Sequence, residues 1–247
     1  MNDNCTELIY LVDPTITQCE AKIIDTGVDE KGRYIVVDKS PFYPARGGQQ
    51  SERGFIQSHD LIFEVFGARL HGAVVRHYGS YSKTDADFIL NCNVLAKIDE
   101  AQRQYHSKIH SAGELLCAAV KQMGYANWVV TSAIHYEDRM SVEYNQMLPE
   151  HMREDFIKKL ENTIAQLIEE NLPVGIQMTD DINLVKQLCG YKPEYISDKE
   201  PIRLVNIAGN TRPCMGSHVL STSQIGSVKI TKIKSKKGQT TITYSVE

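Results

Sequence analysis

A cysteine and a histidine stand four residues apart at Cys214 and His218, near the end of the 247-residue sequence. Thiolate and imidazole are ligands that Zn²⁺ prefers. Pro213 and Gly216 suit the tight turn that would let both side chains reach one ion. Alone the pair is weak evidence, because a core cysteine beside a surface histidine gives the same spacing. A metal site would need further ligands from elsewhere in the chain.

Those ligands are present in a segment of helical periodicity, where His106, His110 and Glu114 recur every four residues on one face. Neighbouring members can share a metal, but the outer two cannot, because about 12 Å of helix separates them. The pair is therefore His106 with His110 or His110 with Glu114, and the alternative is a solvated polar face. Either pair with Cys214 and His218 gives the four ligands that zinc prefers. Serine follows both helix histidines, which excludes the His-Glu-x-x-His pattern of zincin peptidases.

A loop at residues 40–54 contains Gly47, Gly48 and Gln49. Its two glycines allow a backbone that exposes amide groups, and the plain alternative is a hairpin loop. It lacks the Gly-Lys-Ser/Thr of a phosphate-binding Walker loop and the glycine spacing of a dinucleotide site.

Five lysines fall between Lys229 and Lys237 with no acidic residue among them. Strand alternation places Lys232 and Lys234 on one face, and Lys236 and Lys237 follow. This run is either an edge strand protected by lysine or a patch that faces phosphate groups.

The elements that must position these residues indicate an α+β fold. Apolar periodicity predicts helices over residues 99–123, 149–171 and 180–188, the first with a capping box formed by Asp99 and Gln102 and with Gly124 as its stop. Strands are predicted over residues 31–39, 61–66, 73–78, 87–95, 202–207, 228–233 and 240–246, with a hairpin turn at Lys237 and Gly238 between the last two. We expect a β-rich, barrel-like N-terminal domain at 1–95. An α+β domain at 96–247 would follow, with the long metal-ligand helix packed on antiparallel strands.

Composition bounds the function classes. The chain is 42% hydrophobic and 23% charged with a net charge of −4, as expected for an ordinary globular protein rather than a disordered or fibrous one. No long apolar run predicts a membrane span, and residues 1–7 lack a secretory signal pattern, so we expect a cytoplasmic protein with no membrane partner. The six cysteines form no Cys-x-x-Cys pair, which argues against a disulfide framework. The acidic balance argues against binding DNA or RNA through bulk charge.

Taken together, the motifs resemble the editing domain of alanyl-tRNA synthetases and the free-standing AlaX-type trans-editing proteins. The resemblance is carried by residues 42–49, 110–116, 142–144, 201–207, 213–218 and 225–228. The family's first metal motif, His-Thr/Ser-Ala-x-His-Leu-Leu, begins here at His110 and places Glu114 where the family has its second histidine. Ser217 stands where the family usually has threonine. The resemblance implies one zinc ion held by His110, Glu114, Cys214 and His218, with His106 as the alternative to Glu114.

The resemblance also implies an ATP-independent ester hydrolase that deacylates mischarged alanine tRNA carrying serine, with glycine as a further candidate. Gln49 and Ser217 are candidate contacts to the substrate, with the amides near Gly47 and Gly48 placed to hold water or an oxyanion. Glu114 is a candidate general base if it does not bind the metal. Zinc would activate water, polarise the carbonyl or orient the substrate. Two alternatives stay open: a non-catalytic tRNA- or synthetase-binding module with a decayed metal site, and a zinc hydrolase of another small ester or amide. The sequence makes no prediction of oligomeric state.

Overall fold

A computed structural model of the protein describes residues 5–83, 87–189 and 201–247. The chain divides into two compact units, Met1–Tyr105 and His106–Glu247, so the division falls inside the first long helix. The domain boundary expected at residues 95 and 96 stays a prediction. Gly190, which follows the third predicted helix, lies outside the described residues.

The first unit contains a closed barrel, which confirms the barrel-like prediction. Its strands follow each other around the barrel in the order β2-β3-β7-β6-β5-β8. The strands of this unit are β1 (Glu7–Leu8), β2 (Gln18–Asp29), β3 (Gly32–Val37), β4 (Lys39–Ser40), β5 (Gly54–Ser58), β6 (Leu61–His71), β7 (Val74–Tyr81) and β8 (Asn93–Ile98). β1 and β4 form a separate parallel pair. The sequence missed β2 and β5 and predicted only the first half of β6. The strand predicted at residues 87–95 was wrong in its bounds, because β8 spans Asn93–Ile98.

A buried histidine joins the barrel to the start of the glycine-rich loop. His77 on β7 is fully buried. Its Nδ1 lies 3.1 Å from the Ile35 carbonyl, and its Nε2 lies 2.8 Å from the Ser40 hydroxyl. A carbonyl oxygen can only accept, so Nδ1 carries the proton and Nε2 accepts from Ser40. The Ser40 oxygen in turn accepts the backbone N–H of Phe42 at 3.1 Å.

An ion pair buried in the first unit holds both arms of the same loop. Arg103 Nε lies 2.7 Å from Glu52 Oε1, and the guanidinium also donates to the carbonyls of Pro41 at 2.6 Å and Pro14 at 3.2 Å. The second carboxylate oxygen of Glu52 accepts the Tyr43 N–H at 2.8 Å. Because a buried ion pair is stabilising only when its remaining donors and acceptors are satisfied, these contacts fix the geometry of the loop.

The second unit is built from helices on antiparallel strands. Its four-stranded sheet has the order β14-β15-β10-β9, and its three-stranded sheet has the order β11-β12-β13. Its elements, together with the helix α1 that enters it, are α1 (Glu100–Gln122), β9 (Val130–Tyr136), β10 (Arg139–Tyr144), α2 (Arg153–Glu169), β11 (Gly175–Thr179), α3 (Ile182–Cys189), β12 (Ile202–Ile207), β13 (Asn210–Pro213), β14 (Val228–Lys236) and β15 (Gln239–Val246). Single turns of 3₁₀-helix occur at Ile9–Leu11, Glu150–Met152 and Thr222–Ile225.

The ends of α1 agree with the sequence signals. Asp99 Oδ1 accepts the Gln102 N–H at 3.1 Å, as an N-cap does. The Gln102 side chain accepts the Arg53 N–H at 2.8 Å, so a hydrogen bond links the start of the helix to the residue directly before β5. Gly124 ends the helix with φ +93°, a conformation that suits glycine.

The apolar stripe of α1 packs on the four-stranded sheet, as predicted. Ile109, Leu116 and Val120 are buried in one core with Val142 of β10 and Ile242 of β15. The hairpin of β9 and β10 was missed by the sequence analysis, because its short strands mix polar and apolar residues. This hairpin supplies a side chain to the site described below.

We predict that the barrel loses stability below neutral pH through His77. Burial lowers the pKa of His77 from 6.5 to about 4, so the unfolded chain binds more protons than the folded one in that window. Stability is therefore complete above the unfolded pKa and falls as the pH is lowered toward 4, by about 3 kcal/mol. Hydrogen exchange of barrel amides at pH 7 and pH 4 measures the local opening free energy.

His77→Gln is the matched variant, since an amide keeps one donor and one acceptor but does not titrate. Its barrel amides should show a clearly smaller loss between the two pH values. An identical loss in the wild type and this variant would contradict the assignment to His77.

Candidate metal centre

Four side chains from two distant segments converge in the second unit. His110 and Glu114 lie one turn apart on α1, and Cys214 and His218 lie on the loop after β13. One potential ligand atom from each residue lies within 4.8 Å of those of the other three. This is the ligand set that the family resemblance implied, with Glu114 included.

The separations fit one small tetrahedral ion. Cys214 Sγ lies 3.3 Å from Nε2 of both His110 and His218. The Glu114 carboxylate oxygens lie 3.7 Å from His110 Nε2 and 3.9 Å from His218 Nε2. A tetrahedron with zinc bond lengths of about 2.0–2.3 Å has edges of roughly 3.3–3.8 Å. The donor set therefore fits a zinc ion with little adjustment.

The Glu114 carboxylate supplies an independent indication of a cation. The side chain is buried, and its Oε2 atom has no hydrogen-bond partner among the described residues. A buried anionic oxygen without a partner is costly, and a metal ion would satisfy it.

Ser111 orients His218. The serine hydroxyl lies 3.1 Å from His218 Nδ1 and accepts the backbone N–H of Val219 at 3.1 Å. With Nδ1 engaged there, Nε2 is the atom that faces Cys214 and Glu114. Metal-binding histidines are commonly fixed in this way through their second nitrogen.

Arg203 and Gly216 shape the loop that carries Cys214. Arg203 on β12 is buried, and its guanidinium donates to the carbonyls of Cys214 at 2.8 Å and Gly216 at 3.0 Å. A Cβ atom at Gly216 would lie 2.2 Å from His110 Cε1, so this position requires glycine. No sequence motif assigned a separate role to Arg203, although a single arginine inside the apolar strand 202–207 was a usable signal.

The two histidines of the cluster differ in charge. Burial lowers the pKa of His110, but Cys214 and Glu114 outweigh this effect and raise it to about 10. Burial lowers the pKa of His218 to about 3. Burial raises the pKa of Glu114, but His218 and His110 outweigh this effect and hold the pKa of the carboxyl below its usual range. Without a metal, His110 is thus the protonated partner of an anionic Glu114.

A third histidine, His135 on β9, was missed by the sequence analysis. Its ring stacks on that of His110, with centroids 4.5 Å apart and planes 28° apart. Its Nδ1 lies 2.7 Å from the Tyr244 hydroxyl. Burial, reinforced by the nearby His110, holds the pKa of His135 well below 6.5. A polar residue between Ile134 and Tyr136 was the only sequence signal, and without the β9–β10 pairing its direction was unknown.

His106 lies outside the cluster of four ligand atoms. It is buried, and its Nε2 lies 3.0 Å from Glu137 Oε1. Ser217, the candidate substrate contact, is buried between two residues of the ligand loop.

The candidate residues of the glycine-rich loop lie in the first unit. Gly47 and Gly48 have φ of +53° and +77°, so they form a tight turn that other residues rarely adopt. The turn is closed by the Gln49 N–H, which donates to the Arg46 carbonyl at 2.9 Å. That amide is therefore already used, and the Gln49 side chain is buried.

The lysine run forms strand β14 and the turn after it. Lys232, Lys234 and Lys236 are exposed, and they stand opposite Thr243, Thr241 and Gln239 of β15. Lys237 is exposed in the turn, where its φ is +54°. The predicted hairpin turn and the shared face of Lys232 and Lys234 are confirmed.

Comparisons with known proteins find similarity to alanine–tRNA ligases and to an alanyl-tRNA editing protein. A family model described as the threonyl and alanyl tRNA synthetase second additional domain matches residues 202–241, which include Cys214, His218 and the lysine strand. The alanine–tRNA ligase of Archaeoglobus fulgidus is 28% identical over 234 residues, or 93% of this chain. The alanyl-tRNA editing protein AlaX-L of Pyrococcus horikoshii is 26% identical over 233 residues, also 93% of this chain. The alanine–tRNA ligase of Mycoplasmopsis synoviae is 28% identical over 223 residues.

These matches confirm the resemblance to the editing domain of alanyl-tRNA synthetases and its AlaX-type relatives. The chain spans 24% of the Archaeoglobus ligase and 55% of AlaX-L. Within the described residues, no helix combines the length and apolar character that crossing a membrane requires.

Proposed function

We propose that the protein edits alanyl-tRNA by hydrolysing the ester of mischarged alanine tRNA. The observation that carries the proposal is the convergence of His110, Glu114, Cys214 and His218 in a chain that aligns over 93% of its length with AlaX-L. We propose serine as the main amino acid released, with glycine as a further candidate. The reaction would take place in the cytoplasm on free aminoacylated tRNA.

The need for such a reaction follows from a limit on selectivity. A site built for alanine cannot strongly reject serine, which adds one hydroxyl, or glycine, which is smaller, because such differences are worth about 1–3 kcal/mol. A second site can instead bind the serine hydroxyl and leave polar groups unpaired when alanine enters. We propose Ser217, which stands in the loop of Cys214 and His218, as a contact of this kind, while Gln49 stays a prediction from the sequence.

We propose one zinc ion held by the four convergent residues. When bound, zinc supplies a Lewis-acidic centre that can polarise an ester or orient its amino group. The protein itself fixes the site: Ser111 holds His218, and Arg203 holds the loop of Cys214. These two supports fix the ligand side chains on which the proposed site depends.

The proposed hydrolysis adds water to the ester carbonyl and breaks the bond from the carbonyl carbon to the ribose oxygen. The attacking water loses a proton, and the departing ribose oxygen gains one. If Glu114 does not bind the metal, its carboxylate is the proposed acceptor for that first proton. The products are the free amino acid and the uncharged tRNA.

The first test is deacylation of serine-charged and alanine-charged alanine tRNA. We expect selective loss of serine by the wild-type protein and a large reduction in Cys214→Ala, because the thiolate is one of the four ligands. Cys92→Ala, which removes a half-buried thiol from the first unit, is the control and should stay active. Equal hydrolysis of both esters would contradict serine editing.

The second test is the zinc content of purified variants. We expect one zinc per wild-type chain, a clear loss in Cys214→Ala and Glu114→Ala, and retention in His106→Ala, since His106 is engaged with Glu137 outside the cluster. Glu114→Ala that keeps zinc but loses deacylation would assign Glu114 as the base. If His106→Ala loses the metal and Glu114→Ala retains it, the proposed ligand set is wrong.

The third test concerns the lysine strand, which we propose contacts tRNA phosphates. Lys232→Ala/Lys234→Ala should weaken tRNA binding and flatten its salt dependence. The log–log slope should fall by roughly 0.7–0.9 for each lysine that contacts a phosphate. Lys158→Ala/Lys159→Ala removes two exposed lysines from α2 and is the charge-matched control. An unchanged slope in the first variant would contradict this role.

One observation favours a second candidate function. Glu114 occupies the position of the family's second metal histidine, which is compatible with a module that binds tRNA or a synthetase without catalysis. Tight tRNA binding with no hydrolysis of either ester would select this function.

A further inference from the structure

His135 contacts the metal cluster without belonging to it. It lies on β9, opposite the helix face that carries His110, and its ring covers the His110 ring at a centroid distance of 4.5 Å. The side chain is buried, with 3% of its surface exposed. No part of the proposed reaction uses it.

Tyr244 fixes the orientation of the His135 ring. The Tyr244 hydroxyl donates to the Ile109 carbonyl at 3.0 Å, and a carbonyl oxygen can only accept. The single hydroxyl proton is therefore used, so the tyrosine oxygen accepts from His135 Nδ1–H at 2.7 Å. Ile109 directly precedes His110. The hydrogen bonds from His135 through Tyr244 to the Ile109 carbonyl therefore fix the His135 ring relative to the helical turn that carries His110.

Gly113 leaves space on the surface of helix α1 for the His135 and Tyr244 side chains. A Cβ atom at Gly113 would lie 2.3 Å from His135 Cε1 and 2.6 Å from the Tyr244 hydroxyl oxygen. Any larger residue would push both rings away from the helix. The close approach of His135 to His110 is thus built into three separate elements, α1, β9 and β15.

We infer that His135 is a positioning residue for His110, holding its imidazole in the plane that aims Nε2 at Cys214 and Glu114. This inference rests on the metal centre of the proposed function. A ring stacked at 4.5 Å restricts rotation of the His110 imidazole, and stacked aromatic pairs also attract each other. Outer residues that fix the orientation of a metal ligand, most often through a hydrogen bond, typically contribute a factor of about 10–100 in metal affinity, and we expect an effect in this range for the stacked His135.

The test is zinc affinity of the full chain, measured by competition with a chromophoric chelator. His135→Leu keeps a similar volume but has no planar group and no donor for Tyr244, so it should bind zinc about 10–100-fold more weakly. His135→Gln keeps a planar face and an N–H donor, so it should stay close to wild type. The visible spectrum of the cobalt-substituted protein should change in His135→Leu and be restored in His135→Gln.

Tyr244→Phe removes only the hydroxyl and should give an intermediate loss. Tyr144→Phe is its control, because it removes a buried tyrosine hydroxyl from the neighbouring strand β10 that is not part of the hydrogen-bond chain from His135 through Tyr244 to Ile109. Circular dichroism confirms that each variant folds.

Wild-type zinc affinity in a folded His135→Leu would overturn the positioning role. Equal losses in His135→Leu and His135→Gln would also overturn it, because the planar replacement would then restore nothing. A wild-type protein that binds no zinc would instead overturn the metal centre of the proposed function, and this inference with it.

Discussion

The Glu114 carboxylate is buried inside the second unit, where His110, His218 and Cys214 surround it. Removing such a charge from water costs several kcal/mol unless opposite charge is close. The partners come from two segments roughly a hundred residues apart in sequence, so the charge is balanced only when α1 and the loop after β13 are both in place. The electrostatic requirement of one side chain therefore couples the helix to that distant loop.

Close packing around that charge depends on two glycines, which have no side chain to obstruct it. Gly216 lets the ligand loop approach the His110 ring, and Gly113 admits His135 and Tyr244 on the other side. The Arg203 guanidinium then donates hydrogen bonds to the loop carbonyls of Cys214 and Gly216. The imidazole of His110 is enclosed between two elements that could not approach it if either glycine carried a side chain.

The sequence predicted the parts of this arrangement that depend on local spacing. A four-residue repeat placed His110 and Glu114 on one helix face, the Asp99 cap and Gly124 marked the helix ends, and alternation placed Lys232 beside Lys234. It could not predict His135, because that residue reaches the site only through the pairing of β9 with β10 and of β10 with β15. Contacts that arise from strand pairing over long sequence distances leave no local periodicity to read.

The lysine strand shows how local geometry changes the meaning of net charge. A chain with a net charge of −4 has no general attraction for a polyanion. Yet the register shift between Ile230 and Lys232 turns Ile230 and Ile233, three residues apart, to the same buried side. Without that irregularity, strict alternation would place one of these isoleucines in solvent or one of the lysines in the core. The shift thus keeps both isoleucines in the core, while regular alternation after it places Lys232, Lys234 and Lys236 on one exposed face of an acidic protein.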